Sequence, residues 1–397
     1  MNTDLDRGLT SLFVVALVAA LTPVLVGLLS RLRIPQVVVL IVGGVVVGPQ
    51  VLNLADPGSI VLLSNVGLGF LFLLAGYELD LAVFRQRAGK LAIVGWLVTV
   101  ALAVAVVGAL AALGVVDAFV PVALGLTTTA LGTLLPILRD NNMLRGSFSS
   151  YVLAAGAVGE FLPVVAIAIF LGSHGRFIGL ISLVAVGVLG LLLSLAPRLS
   201  RGGRIAQILS EGQDATSQTT LRWTVAMLLL LLVIAADFGL DVVLGAFVAG
   251  VVLHRWAPGN VEGLDRKLDA VGYGFFIPIF FVSSGMSLDL DSIIKAPGRL
   301  FLFFLLLLVV RGLPTLAVYR TALPRQRRFE LVFVVSTALP LLVALSAIGL
   351  ETGEMLPENA AALVGAGVLS VLVYPAIAVA IDRRLARTQD ETGEPLP

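Results

Sequence analysis

The sequence predicts an all-α, polytopic membrane protein of about thirteen transmembrane helices. Three observations carry that expectation. Hydrophobic residues make up 58% of the 397 positions and charged ones only 13%, with a mean hydropathy of +1.05. That is more apolar surface than a soluble chain of this size can hide. The apolar residues fall in runs of about twenty, the length a helix needs to cross a bilayer. Finally, the basic residues are sorted by side: if the N-terminus lies outside, 21 of the 26 fall in inner loops and four in outer loops. A missed span would scramble that bias, so it predicts an N-out, C-in orientation.

In order, the spans fall near 9–30, 35–53, 59–78, 91–114, 118–138, 148–171, 177–197, 221–237, 240–254, 270–287, 297–319, 329–349 and 359–381. The opening MNTDLDRG is acidic and lacks the basic region of a cleaved signal peptide. Helices 9–197 form an N-terminal half and 221–381 a C-terminal half of one transmembrane domain, 1–397. The 198–220 segment reads as a cytoplasmic, amphipathic or flexible link, and 382–397 as a short cytoplasmic tail whose end, RTQDETGEPLP, is disordered.

The fifth span carries LGLTTTALGTLLP and the twelfth VVSTALPLLVALS, each with hydroxyls and then proline at mid-membrane. Seven spans separate them, and an odd number reverses direction, as an inverted repeat requires. The first core repeat is then about 91–171 and the second about 297–381. Broken helices at this depth present backbone dipoles to a site between repeats. The alternative is that the threonines bond back to the preceding turn and only pack helices.

Charge inside the spans narrows the site. Glu160 interrupts an otherwise apolar stretch, 151–171, with Gly156 one turn earlier and Pro163 three residues later. A carboxylate at bilayer depth is costly and marks a functional position; a small residue admits a neighbouring helix, and proline frees a carbonyl. Glu160 can bind either a proton or a cation, each expelling the other. The alternative is a protonated glutamate bonding across helices. Arg311 is the second charge at depth, beside Gly312 and Pro314. A guanidinium keeps its proton, so Arg311 can hold or neutralise but not shuttle. Glu78 and Asp80 read as interfacial salt-bridging or capping residues, Asp237 and Asp241 as turn residues, and Asp117 as an N-cap. His174 and His254 have no partner legible in the sequence, and the GLGF and GYGF runs read as packing glycines. The lack of cysteine and of an HExxH pattern leaves no thiolate or metal-site chemistry, and the net charge of +1 gives no reason to expect nucleic acid.

Five segments, in order, resemble the monovalent cation:proton antiporter-2 family over about residues 10–381. They are RIPQVVVLIVGGVVVGPQVLN, FLFLLAGYELDL, LTTTALGTLLPIL, DVVLGAFVAGVVL and FIPIFFVSSGMSLDL. The resemblance implies a homodimer, with a scaffold domain and a mobile core in which two discontinuous helices cross and move as an elevator. By position it implies that Glu160 is the ion-binding acid, with Thr127, Thr128 and Thr129 as unwound-helix hydroxyls. Arg311 takes the family's basic position, Ser336 and Thr337 fall on the second broken helix, and Gly156 and Gly159 support the acid.

The family usually has aspartate at the acidic position, preceded by a second polar residue; here the pair is Gly159-Glu160. One acid with an arginine partner implies electroneutral, one-for-one exchange. The tail has no room for a nucleotide-binding domain, so ligand-gated potassium efflux is not expected. The expected function is therefore antiport of sodium (or potassium, lithium) against protons in a cell inner membrane, without cofactor. Expected partners are lipid, monovalent cations and protons. The alternative is sodium-coupled uptake of a small organic substrate on the same architecture. A channel wants a continuous polar lining, and an intramembrane enzyme wants a nucleophile or paired-aspartate signature, neither of which is legible.

Overall fold

The computed structural model describes residues 2–28, 34–78, 81–144, 146–170, 218–237, 242–256 and 261–392. Among these every regular element is helical. Eight helices are long and apolar enough to cross a membrane, and Gln36–Val47, Leu221–Ile234 and Val243–His254 are shorter apolar ones. With the interrupted fifth span these account for twelve of the expected thirteen. The seventh, 177–197, lies outside the described residues, as do the link apart from 218–220 and the positions of His174, Asp80 and Asp241.

The chain forms two compact units. The first comprises Met1–Pro23, Leu40–Leu79 and Val164–Ser287. Its helices among the described residues are α1 (Asn2–Leu28), α2 (Gln36–Val47), α3 (Val61–Glu78), α8 (Thr219–Asp237), α9 (Val242–Trp256), α10 (Val261–Val271) and α11 (Ile277–Met286); the ends of α1 and α2 run into the second unit. Glycine lets these helices meet backbone to backbone. A Cβ on Gly76 would overlap the Phe247 carbonyl, and one on Gly250 that of Leu73, so α3 and α9 fit through a reciprocal pair. Gly44 and Gly285 do the same for α2 and α11, against the carbonyls of Val282 and Ile41. Apolar side chains gain little by leaving lipid for protein, so such close approach supplies the packing energy.

The glycines of GLGF and the first of GYGF also pack, as expected, whereas Gly274 faces open space. Gly67 faces the Phe276 carbonyl, Gly272 faces Leu74, and Phe70 stacks on Phe276 with ring centroids 4.8 Å apart. His254, by contrast, has a partner: its Nδ1 lies 2.7 Å from the Tyr77 carbonyl, and the two rings meet edge to face. Sequence separation hid this pair.

The second unit comprises Val24–Val39, Asp80–Pro163 and Leu288–Pro397. It contains α4 (Arg87–Ala112), α5 (Phe119–Gly125), α6 (Leu131–Asp140) and most of α7 (Gly146–Phe170). It continues with α12 (Leu290–Lys295), α13 (Pro297–Leu306), α14 (Pro314–Val318), α15 (Arg325–Val335), α16 (Pro340–Glu351) and α17 (Pro357–Thr392). A long helix, an interrupted helix and a helix with internal proline occur twice in that order, with Pro163 in α7 and Pro375 in α17. Val107, Val122, Leu126, Phe303, Leu307, Leu342, Leu363 and Tyr374 form its apolar core.

Two π turns interrupt otherwise helical spans, at Gly272–Phe276 and Leu307–Gly312. Each precedes a proline, Pro278 and Pro314. Proline cannot donate to the carbonyl four residues back and crowds it. The amide just before each proline instead bonds five residues back, Ile277 to the Gly272 carbonyl and Leu313 to that of Leu308 at 3.1 Å.

Two expectations are corrected. Ala118, not Asp117, takes the N-cap position of α5, and no side chain caps it; the chain turns one residue later than the charge suggests. The tail is helical as far as Thr392, because RRLARTQDE contains good helix formers and no glycine or proline. Asp289 does cap α12, accepting from the Ser292 amide at 3.1 Å and its hydroxyl at 2.6 Å; these bonds hold its carboxyl below the usual aspartate value.

Gly250→Val should overpack the α3–α9 contact and cost about 1–3 kcal/mol, lowering the thermal unfolding midpoint in detergent. Gly274→Ala, whose Cβ would meet nothing within 4 Å, should leave the midpoint unchanged.

Candidate functional site

A helix interrupted inside a membrane leaves amides and carbonyls without intrahelical partners, and lipid offers none. The second unit contains two such interruptions, Leu126–Ala130 between α5 and α6 and Ser336–Leu339 between α15 and α16. They meet, and each supplies what the other lacks. The Ala130 amide, at the start of α6, donates to the Thr337 carbonyl at 2.8 Å. The Thr129 hydroxyl donates to the Val335 carbonyl, at the end of α15, at 2.7 Å.

A third element closes the knot. Pro163 lies four residues after Gly159 and has no amide hydrogen, so the Gly159 carbonyl lacks its intrahelical donor. The Thr129 amide donates to it at 2.9 Å. No side chain could stand at 159: an added Cβ would lie 2.6 Å from the Thr129 hydroxyl and would overlap the Arg311 guanidinium. One at Gly156 would lie 2.6 Å from Leu131, the first residue of α6. Gly156 and Gly159 thus admit the broken helix to the face of α7. Glu160 follows directly, partly buried and one helical turn beyond Gly156.

Arg311 does not reach the surface; it is 3% exposed. The π turn holds it, and its Nε donates to the Thr129 hydroxyl at 3.0 Å while a terminal nitrogen donates to the Ala155 carbonyl at 3.0 Å. Arg311, Thr129 and Val335 therefore form a hydrogen-bonded chain from a fixed positive charge to the C-terminal carbonyl of α15. A cation is favourable there, since that end of a helix carries partial negative charge. Gly312 makes room beside it, because a Cβ would lie 2.5 Å from the Ser336 hydroxyl.

Both readings of the hydroxyls hold, at different residues. Thr127 and Thr128 bond back to the Leu124 and Gly125 carbonyls at 2.7 and 2.8 Å. Ser336 and Thr337 bond back to Val332 and Phe333 at 2.7 and 3.1 Å. Thr129 alone of the five reaches across. All five are buried.

Sequence reasoning missed Ser370. Its hydroxyl accepts from the Ala338 amide at 3.0 Å and lies 2.8 Å from the Ala338 carbonyl, to which it can donate, so α17 satisfies the middle of the second break. The available signal was a hydroxyl near the middle of an apolar span. It also missed Glu330, wholly buried on α15 near the start of the twelfth span.

A family model described as sodium/hydrogen exchanger, transmembrane, matches residues 14–381. The putative Na(+)/H(+) antiporter YjbQ of Bacillus subtilis is 28% identical over 395 residues, covering 93% of this chain. The chain spans only 62% of that relative's length. The probable Na(+)/H(+) antiporter 3 of Methanocaldococcus jannaschii is 25% identical over 273 residues, 67% of this chain and 69% of the relative. The structure of the sodium proton antiporter MjNhaP1 from Methanocaldococcus jannaschii superposes with a TM-score of 0.66, covering 96% of this chain and 98% of that one at 16% identity. That likeness is one of fold.

Thr129→Val keeps the shape but strands the Val335 carbonyl and one Arg311 donor, and should cost about 2–3 kcal/mol. Thr128→Val removes only a bond to the preceding turn and should cost about 1 kcal/mol or less. Thermal unfolding of the two purified variants checks the difference.

Proposed function

This chain belongs to the sodium/hydrogen exchanger family, a family of multi-pass membrane transporters, and from that premise we propose that it exchanges a monovalent cation for a proton at Glu160. The observation that carries the reading is the placement of Glu160. It is an acid directly following the Gly159 carbonyl that anchors one broken helix, at a crossing where the nearby Arg311 bonds to Thr129 and Ala155. A carboxylate there can take a proton or a dehydrated cation, and occupation by one excludes the other. Arg311 holds the broken ends and offsets charge without giving up its own proton.

Sodium is the proposed cargo because the relatives carry that ion in their names; potassium and lithium share its charge and compete by size. With one exchanging acid and one permanent cation, a proton leaves for each cation that enters, so exchange is electroneutral. Thr127, Thr128 and Thr129, with the Ser336 and Thr337 turn, supply oxygen-lined backbone around the cation. Alternating access by an elevator motion of the core repeats, a homodimer, and an inner-membrane location with N-terminus outside and C-terminus inside complete the proposal. The last rests on the 21-to-4 distribution of basic residues.

In sealed proteoliposomes with an internal pH dye, sodium, potassium or lithium pulses should drive proton movement with the native protein. Glu160→Gln should reduce it at least a hundredfold. Equal activity in the variant would remove Glu160 from the mechanism, and cation flux without proton movement would overturn antiport itself. An imposed membrane potential should change the native rate less than about twofold; steep dependence would overturn the one-for-one count.

A further inference from the structure

A second buried charge cluster lies on the same broken helix, away from the crossing. Glu330 of α15 is wholly buried and Arg327, one turn earlier, largely so. One guanidinium nitrogen of Arg327 contacts two carboxylates: Glu330 Oε2 at 2.7 Å and Asp382 Oδ1, on α17, at 2.6 Å. The Arg327 guanidinium lies over the Phe148 ring of α7, 5.1 Å from its centre, which closes that side to water. Among the described residues the other Glu330 oxygen, Oε1, is buried and has no hydrogen-bond partner.

Several other titratable groups around α15 have partners elsewhere. Arg325 lies over the Phe329 ring and Arg328 donates to the Leu316 carbonyl. Arg383, on α17, donates to Asn141; the Tyr374 hydroxyl, on the same helix, donates to the Phe304 carbonyl. Arg311, in the π turn, is bound to Thr129 and Ala155, and the Tyr319 ring beyond α14 meets that of Tyr151. Two acids thus share one guanidinium, and of the two only Glu330 is wholly buried. A buried charge without a partner is costly, and a bare buried carboxylate oxygen is costly as well. One proton on Oε1 relieves the excess charge.

We propose that Glu330, Asp382 and Arg327 form a second proton-binding site, distinct from Glu160. It takes up one proton per chain, seated on Glu330. The site is coupled to the crossing through α15 itself: Glu330 lies five residues before Val335, whose carbonyl receives the Thr129 hydroxyl. Gaining the proton weakens the hold of Arg327 on Glu330 and strengthens its pairing with Asp382, which shifts the start of α15 toward α17. The proton at this site is not part of the exchange stoichiometry; it biases the broken helix.

Infrared difference spectra of the purified protein, titrated across the pH range in which it stays folded, test this without reference to transport. A carbonyl stretch of a protonated carboxylic acid should disappear as pH rises, persist in Glu160→Gln and vanish in Glu330→Gln. Asp382→Asn removes the neighbouring negative charge and should move the midpoint of that band at least about one pH unit lower; it also decides the matter if Glu330→Gln does not fold. In Asp382→Asn the acid limb of any cation–proton exchange should shift with the band. If no titrating carboxylic band remains in Glu160→Gln, or if the midpoint is unchanged in Asp382→Asn, the proposal is overturned. Because the spectrum needs no transport, it fails or stands independently of the antiport reading.

Discussion

The structure of the second unit depends on one constraint: two helices are interrupted where lipid supplies no hydrogen-bond partners. The Ala130 amide takes the Thr337 carbonyl, the Thr129 amide takes the Gly159 carbonyl, and the Thr129 hydroxyl takes the Val335 carbonyl. Remove any one and a polar group is stranded in an apolar medium. Pro163 is part of this economy, since a residue with an amide hydrogen there would satisfy Gly159 within its own helix. Gly156 and Gly159 are then required for steric reasons, and Ser370 completes the second break from α17.

The same constraint separates the two charges at depth. Arg311 is committed to structure: its donors go to the broken-helix hydroxyl and to the Ala155 carbonyl. Its position on a π turn follows from Pro314, which forces the preceding amide to bond five residues back. A residue so held is suited to be a constant positive charge. Glu160 follows the carbonyl that fixes the crossing, so the exchange proposed there would be felt where the two breaks meet. The Arg327 cluster stands on the other end of α15, and helical rigidity gives it a mechanical route to that junction.

The first unit is built by a different device. Its helices meet through reciprocal glycines, Gly76 with Gly250 and Gly44 with Gly285, each facing a backbone carbonyl of its neighbour. Four of these glycines lie in the segments that carry the family resemblance. Their likeness across the family is then a likeness of close helix approach in a membrane, where burial of apolar surface contributes little. The segments that carry the family resemblance are mostly packing motifs, while the residue proposed to do the chemistry departs from the family's usual aspartate.

The sequence by itself determined the helices, their membrane setting and the positions of both breaks, because bilayer length, hydroxyl runs and proline act locally. It also singled out Glu160, Arg311, Gly156 and Gly159, since a charge or a missing side chain at depth is costly enough to be legible alone. Only the tertiary structure decided which hydroxyl crosses: Thr127, Thr128 and Thr129 are alike in sequence, and only the geometry of the meeting sends Thr129 to Val335. The partners of Arg311, the role of Ser370, the His254–Tyr77 pair and the Arg327–Glu330–Asp382 cluster were likewise decided in three dimensions. Each joins residues far apart in the chain, where local patterning has no say and only packing brings donor to acceptor.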